Sequence, residues 1–337
     1  MNTIHQIKHP VYAKQLAEIT KVVKGYDYVV GLCIRSLLTN DHVLLTSLPG
    51  LAKTTLANTL GATIIGARNG RIQMLPDTQP ADVTGSPIFN PQSGKWETTL
   101  GPIIGVNIFL ADEVNRTGPK TNAAMLQAMQ ERKVTINGVD YPLEKVFIVI
   151  ATRNPIEQEG TYELPEAMID RFSAEATLPY AEPEDEMKVL RMATALRKDP
   201  TSLVNQVVSL EQILSDRAAV AEIVDNLPDE ILAYINRVGR ATRPSDSLFK
   251  TIKDSKGVGF DKKVKVGCSP RAQLNMAYAA AAVAFLNGRT TVTPDDVKFV
   301  ARDILRARIA KNPMAQNFHT DDFVEALFNS VEVVSGK

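Results

Sequence analysis

Ser47-Leu48-Pro49-Gly50-Leu51-Ala52-Lys53-Thr54 follows an apolar run, Val43-Leu44-Leu45, and leads into a helical pattern from Thr55 to about Ile65. A strand, a loop of small residues, a Lys-Thr pair and a helix make a cradle for phosphate. Backbone N–H groups of a tight loop and of a helix N-terminus converge on an anion, and the helix dipole favours negative charge there. In this reading Lys53 reaches the β/γ-phosphates of a nucleotide and Thr54 holds Mg²⁺. Against the pattern G-x-x-x-x-G-K-[ST] both glycines are absent, with Ser47 and Ala52 in their places. An ordinary strand-to-helix turn bearing a solvated lysine is the competing reading of the segment alone.

Two further apolar runs decide between them. Val106-Asn107-Ile108-Phe109-Leu110-Ala111 reads as a buried parallel strand and ends in Asp112-Glu113. The carboxyl end of such a strand is where an open α/β sheet places its ligands. Adjacent carboxylates there are costly unless a cation or a water is being handled. Asp112 suits Mg²⁺, and Glu113 suits polarising an attacking water. The run 146–151 is another buried strand, ending in Thr152-Arg153-Asn154-Pro155, where Asn154 is placed to hydrogen-bond a γ-phosphate or orient the water. An acidic strand-end turn and an Asn-Pro turn starter are the plainer alternatives for the two segments.

Outward from this centre, residues 10–38 read as two helices broken at Gly25. Strands are expected at 42–46, 71–74, 106–111, 146–151 and 174–178, alternating with helices, which gives a three-layer α/β domain with five strands. Residues 86–101 suggest a hairpin carrying Trp96, the chain's single tryptophan. Asn137-Gly138 marks a second hairpin with a type I′ turn. At 179–185 the composition shifts to proline and acid, so the domain boundary is set at 180/181. Beyond it strands nearly vanish, leaving a helical module with helices at 184–197, 209–214, 218–224, 228–242, 271–286, 294–309 and 321–331. The lysine-rich stretch 250–266 reads as a mobile loop.

The totals fit a two-domain globular chain: 337 residues, 44% apolar, 23% charged, with 38 basic against 38 acidic side chains. Neutral charge argues against nucleic acid as the main partner. Cys33 and Cys268 have no paired spacing and read as structural thiols of a reducing compartment. Residues 1–11 lack a signal-type apolar core and no run reaches membrane-spanning length, which points to the cytoplasm.

With these parts in sequence the chain resembles a MoxR-type AAA+ ATPase over nearly its whole length. The resemblance rests on residues 48–54, Asp77 with 80–85, 110–116, Pro119-Lys120-Thr121, 151–155, 164–172 and 269–272. It implies a three-layer P-loop AAA+ domain with a five-stranded parallel sheet (residues 1–180) and a smaller all-helical lid (181–337). Lys53 and Thr54 resemble Walker A, with Pro49, Gly50, Leu51, Ala52 and Thr55 around the nucleotide and Val23 and Tyr26 beside the adenine. Asp112 and Glu113 resemble Walker B, with Asp112 and Thr54 as the metal residues. Asn154 resembles sensor 1, Arg171 a finger offered to a neighbouring subunit, Arg271 sensor 2, and the 86–101 hairpin the helix-2 insert. The implied cofactors are ATP and Mg²⁺. The implied assembly is a homo-hexameric ring that remodels a protein client, commonly a partner with a von Willebrand factor A domain. A chelatase-type motor subunit and an ATP-dependent scaffold with little hydrolysis are the alternatives. Ser47 and Tyr26 depart from the family pattern, which usually has glycine and glutamine there, and both bear on nucleotide affinity.

Overall fold

A computed structural model describes residues 7–332, apart from 49, 156–161, 163, 196–199, 313 and 316–317. Among these the chain forms two compact units, one of residues 10–172 and 176–215 and one of 7–9, 173–175 and from 216 onward.

The first unit opens with α1 (Pro10–Val22) and α2 (Asp27–Thr39), separated at Gly25, whose φ of 79° suits glycine. Then come β1 (Val43–Ser47), α3 (Lys53–Ala62), a two-residue β2 (Ile64–Ile65), β3 (Asn69–Gln73) and α4 (Pro80–Thr84). The hairpin β4 (Gly85–Asn90) and β5 (Lys95–Leu100) leads to β6 (Ile108–Asp112) and α5 (Pro119–Glu131). A second hairpin, β7 (Lys133–Ile136) and β8 (Val139–Pro142), turns through Asn137 and Gly138, both left-handed at φ 50° and 79° as a type I′ turn requires. The series closes with β9 (Ile148–Arg153), α6 (Glu166–Ile169), β10 (Ala174–Leu178), α7 (Pro183–Ala195) and β11 (Val208–Ser209).

Five strands form one parallel sheet in the order β10-β1-β9-β6-β3. The runs that read as doubly apolar are doubly buried: every residue of β1 and β6, and all of β9 but its last, is buried. Phe109, Phe147, Val149 and Phe172 meet Met125 and Met129 of α5 in the core on one face. The register sets Thr46 beside Arg153 and Ala111 beside Ala151. Three adjacent strands therefore finish together, and their C-terminal loops share one edge of the sheet.

The compact unit runs past the boundary at residue 180 that composition suggested. Residues 181–215 remain attached to it: β11 pairs in parallel with β2, and Asn205 donates its backbone and amide N–H groups to Glu18 of α1 at 3.0 and 3.3 Å. Lys21 closes on the same carboxylate at 2.6 Å. Together these bonds hold the Glu18 carboxyl below its ordinary pKa, with the Lys21 contact the largest cause.

The second unit is helical, with α8 (Leu210–Asp225) entering it and α9 (Asp229–Ala241), α10 (Pro270–Leu286), α11 (Pro294–Arg306) and α12 (Thr320–Ser330) within it. The two helices expected at 209–214 and 218–224 are one, because Ser215-Asp216-Arg217 lacks a breaker. The stretch 250–266 is anchored rather than loose. Phe260 is 1% exposed and packs edge-on against Phe323 at 5.0 Å, Asp254 accepts from the N–H groups of Lys256 and Val258, and β12 (Val264–Val266) pairs with β13 (Ala310–Lys311). Its lysines solvate a segment anchored by the buried Ile252, Phe260 and Val264, which a reading of charge alone misses.

Candidate active site

The loop after β1 delivers Gly50 (φ 83°) and Ala52 (φ 48°) in left-handed conformation before α3 begins at Lys53. Ser47 is the last residue of β1, 1% exposed, with ordinary negative φ. Serine therefore costs nothing where the pattern has its first glycine. The demand for left-handed backbone falls on Ala52, where a Cβ costs about 1–2 kcal/mol. Pro49 lies outside the described residues. Lys53 is 7% exposed, while Thr54 and Thr55 are half-buried on the first turn of α3.

Asp112 ends β6, two strands from β1, and is 7% exposed. Lys53 Nζ stands 3.9 Å from its Oδ1. The Thr152 hydroxyl, at the end of β9 between those strands, donates to the same Oδ1 at 2.7 Å and accepts the Glu113 N–H at 2.8 Å. One fully buried hydroxyl thus ties both acids to the middle strand. Arg71 of β3 donates to Asp112 Oδ2 at 3.0 Å. Glu113 is left-handed (φ 58°, ψ 50°), and Arg116, one turn on, donates to its Oε2 at 2.9 Å. Asn154 is buried, and its backbone N–H and C=O are bracketed by the Asn115 amide at 3.3 and 3.1 Å. The sheet thus brings Lys53, Asp112, Glu113 and Asn154 to one edge, as the strand-end reading requires. Arg71, Thr152, Asn115 and Arg116 had been assigned no role. The visible signals were polar residues at the ends of otherwise apolar strands.

These groups fit a magnesium ion. The donors are hard oxygens, a single carboxylate with the Thr54 hydroxyl, and among the described residues no cluster of three or more His, Cys, Asp or Glu forms a self-sufficient cage. Mg²⁺ is characteristically held in this way, by one or two carboxylates and the substrate's phosphates.

A cavity of 430 Å³ opens beside the phosphate loop, lined by Tyr26, Gly50, Leu51, Ala52 and Thr55 and closed by Glu186, Val189 and Leu190 of α7. Its size and apolar walls suit a heterocyclic base. Tyr26 is 6% exposed, and its hydroxyl donates to the Pro179 carbonyl at 3.0 Å. Burial raises the pKa of that hydroxyl, and the Glu186 carboxylate adds to the effect. Val23 does not line the cavity. It is buried at 1% exposure, and its neighbours Val22 and Lys24 take that place.

Arg171 follows α6 in a turn closed by its own N–H to Met168 C=O at 3.0 Å, with Phe172 buried in the core. Its half-buried guanidinium engages no hydrogen bond or ion pair among the described residues. Arg271 stands in the first turn of α10 in the second unit, exposed, and its guanidinium is likewise unengaged among them.

Residues 42–174 match the ATPase family associated with various cellular activities, and residues 260–327 match the AAA lid domain. The chain is 36% identical to the uncharacterized protein YeaC of Bacillus subtilis, over 96% of this chain and 95% of that one. It is 35% identical to the chaperone MoxR1 of Mycobacterium tuberculosis, over 91% of this chain and 76% of that protein. A crystal structure of a protein from Cytophaga hutchinsonii, presumed to be an ATPase, superposes with a TM-score of 0.86 at 36% identity, covering 96% of this chain and 95% of that one.

Proposed function

The chain belongs to the MoxR family of AAA+ ATPases, and from this we propose that it hydrolyses ATP as a ring-forming remodeller or activator of a protein partner. The observation that carries the reading is the Lys53–Asp112–Thr152–Glu113 cluster, where a buried cation faces two acids positioned by a single hydroxyl. The base enters the cavity against Tyr26, and the phosphates lie over Gly50, Leu51, Ala52 and the α3 N-terminus, where Lys53 neutralises them. Asp112 and Thr54 would hold Mg²⁺, which would screen the phosphate charge. Glu113 polarises the attacking water and Asn154 orients it. Arg171 reaches the nucleotide of a neighbouring copy, which accounts for a guanidinium with no hydrogen bond or ion pair among the described residues. Arg271 answers the γ-phosphate from the lid. Among the described residues no helix is long and apolar enough to cross a membrane. A von Willebrand factor A protein is the partner class the family suggests. A reducing cytoplasm suits the buried Cys33 and Cys268 thiols.

The test compares phosphate release by the wild-type chain, Lys53→Ala and Glu113→Gln, together with binding of a fluorescent ATP analogue. Wild-type protein should turn over ATP, Lys53→Ala should bind none, and Glu113→Gln should bind it while releasing phosphate at a hundredth of the rate or less, on the order of a lost general base. Wild-type release no faster than Lys53→Ala would overturn the reading. The ring trapped by Glu113→Gln in ATP is the bait for the client.

A further inference from the structure

The sequence reading left Arg71 without a role, yet its guanidinium is the closest cation to Asp112, 3.0 Å from Oδ2, with Lys53 more distant at 3.9 Å from Oδ1. The pair is asymmetric. The Asp112 side chain is 9% exposed and fixed by Thr152, whereas the Arg71 side chain is 48% exposed and, among the described residues, otherwise bonded to Gln73 Oε1 at 3.0 Å. A buried carboxylate needs a countercharge, and here the mobile partner is the one free to leave into solvent. Arg71 also stands on β3, an edge strand of the sheet, whose chain continues to α4 and the β4–β5 hairpin.

We propose that Arg71 is the internal counter-cation of Asp112 in the metal-free site, and that a divalent cation and Arg71 compete for this carboxylate. The inference rests on Asp112 being the metal-holding residue. Both oxygens of Asp112 are engaged in the structure, Oδ1 by Thr152 and Oδ2 by Arg71. A cation approaching Oδ2 meets the guanidinium already bound there, and the repulsion between two positive groups at one oxygen favours release of Arg71. Arg71 therefore lowers the affinity of the site for metal while keeping the empty site stable. Its release on metal entry is felt directly in β3.

Binding of Mn²⁺ in the presence of ADP, followed by the electron paramagnetic resonance of free Mn²⁺, tests this on the full chain. Thermal melting without and with Mg²⁺ is the second readout. Arg71→Ala should bind Mn²⁺ about two- to fivefold more tightly, the scale of a half-exposed ion pair removed as a competitor. It should melt lower than wild type without metal and recover most of the difference with it, while Arg71→Lys should fall between the two proteins. Unchanged or weaker Mn²⁺ binding by Arg71→Ala, alongside a large loss of binding in Asp112→Asn, would overturn the competition and leave the metal assignment standing. Unchanged binding in Asp112→Asn would overturn the metal assignment itself. A melting deficit in Arg71→Ala that is equal with and without Mg²⁺ would make Arg71 a structural ion pair only and would also overturn the proposal.

Discussion

The phosphate edge of the sheet and the β4–β5 hairpin reverse the ordinary distribution of side chains in opposite ways. At the first, Lys53, Asp112 and Asn154 are charged or polar and nearly inaccessible. At the second, Ile88, Phe89, Trp96 and Leu100 are apolar and 52%, 47%, 67% and 49% exposed. Burying polar groups is stable only where each meets a partner, and the edge supplies these through Thr152, Arg71, Arg116 and Asn115. Among the described residues, the apolar side chains of the hairpin have one aromatic pairing, Phe89 with Trp96, ring centroids 5.5 Å apart. The difference separates chemistry that the chain completes for itself from groups it leaves unanswered. Arg171 belongs with the second kind.

The largest expected effect sharpens that division. If Arg171 completes a neighbour's site, Arg171→Ala should lower turnover by about 10³-fold or more, the range of an arginine finger. Mixed with inactive Lys53→Ala under subunit exchange, it should regain activity, because some interfaces then join an intact Arg171 to an intact Lys53. Full activity of Arg171→Ala alone, or no recovery in verified mixed rings, would return Arg171 to the self-contained group. Next comes Thr152→Val, which strips one hydroxyl from two acids. Leaving the partly buried Glu113 N–H unpaired costs about 1 kcal/mol of stability, and turnover should fall with nucleotide binding intact. Denaturant melts and phosphate release read the two separately. Smaller again is Tyr26→Phe, which removes only the bond to Pro179 C=O. About 1 kcal/mol is expected, with faster proteolysis at 179–185 as its local sign. Smallest is Trp96→Ser. An exposed aromatic pair contributes under about 1 kcal/mol, so the melting temperature and the turnover of the chain alone should stay near wild type. A large loss of stability there would show the hairpin to be part of the core and would break the comparison.

What sequence made legible follows the same line. Apolar runs followed by the Lys53 loop, by Asp112-Glu113 and by Asn154 mark both the strands and the edge where they converge, since burial on two faces and a polar terminus are each written in consecutive residues. Which glycine position tolerates substitution was not legible, because the answer is a backbone angle. Ser47 proves extended and the left-handed strain sits at Ala52. Arg71 and Thr152 escaped notice for a related reason. Each acts across strands, and a cross-strand neighbour is set by sheet order, here β9 between β1 and β6 and β3 outside β6, which no local pattern contains. The α7 wall of the base cavity was missed because 181–215 read by composition as the start of the next domain.

The hairpin has one consequence of a different sort. Trp96 is the only indole in the chain, and it stands largely in water with a single ring, Phe89, at its edge. Excited at the red edge of the near-ultraviolet band, the whole molecule emits from this one spot. Its intrinsic fluorescence is therefore blind to events elsewhere and reports only whether that indole is wet or covered, a native optical label that needs no dye.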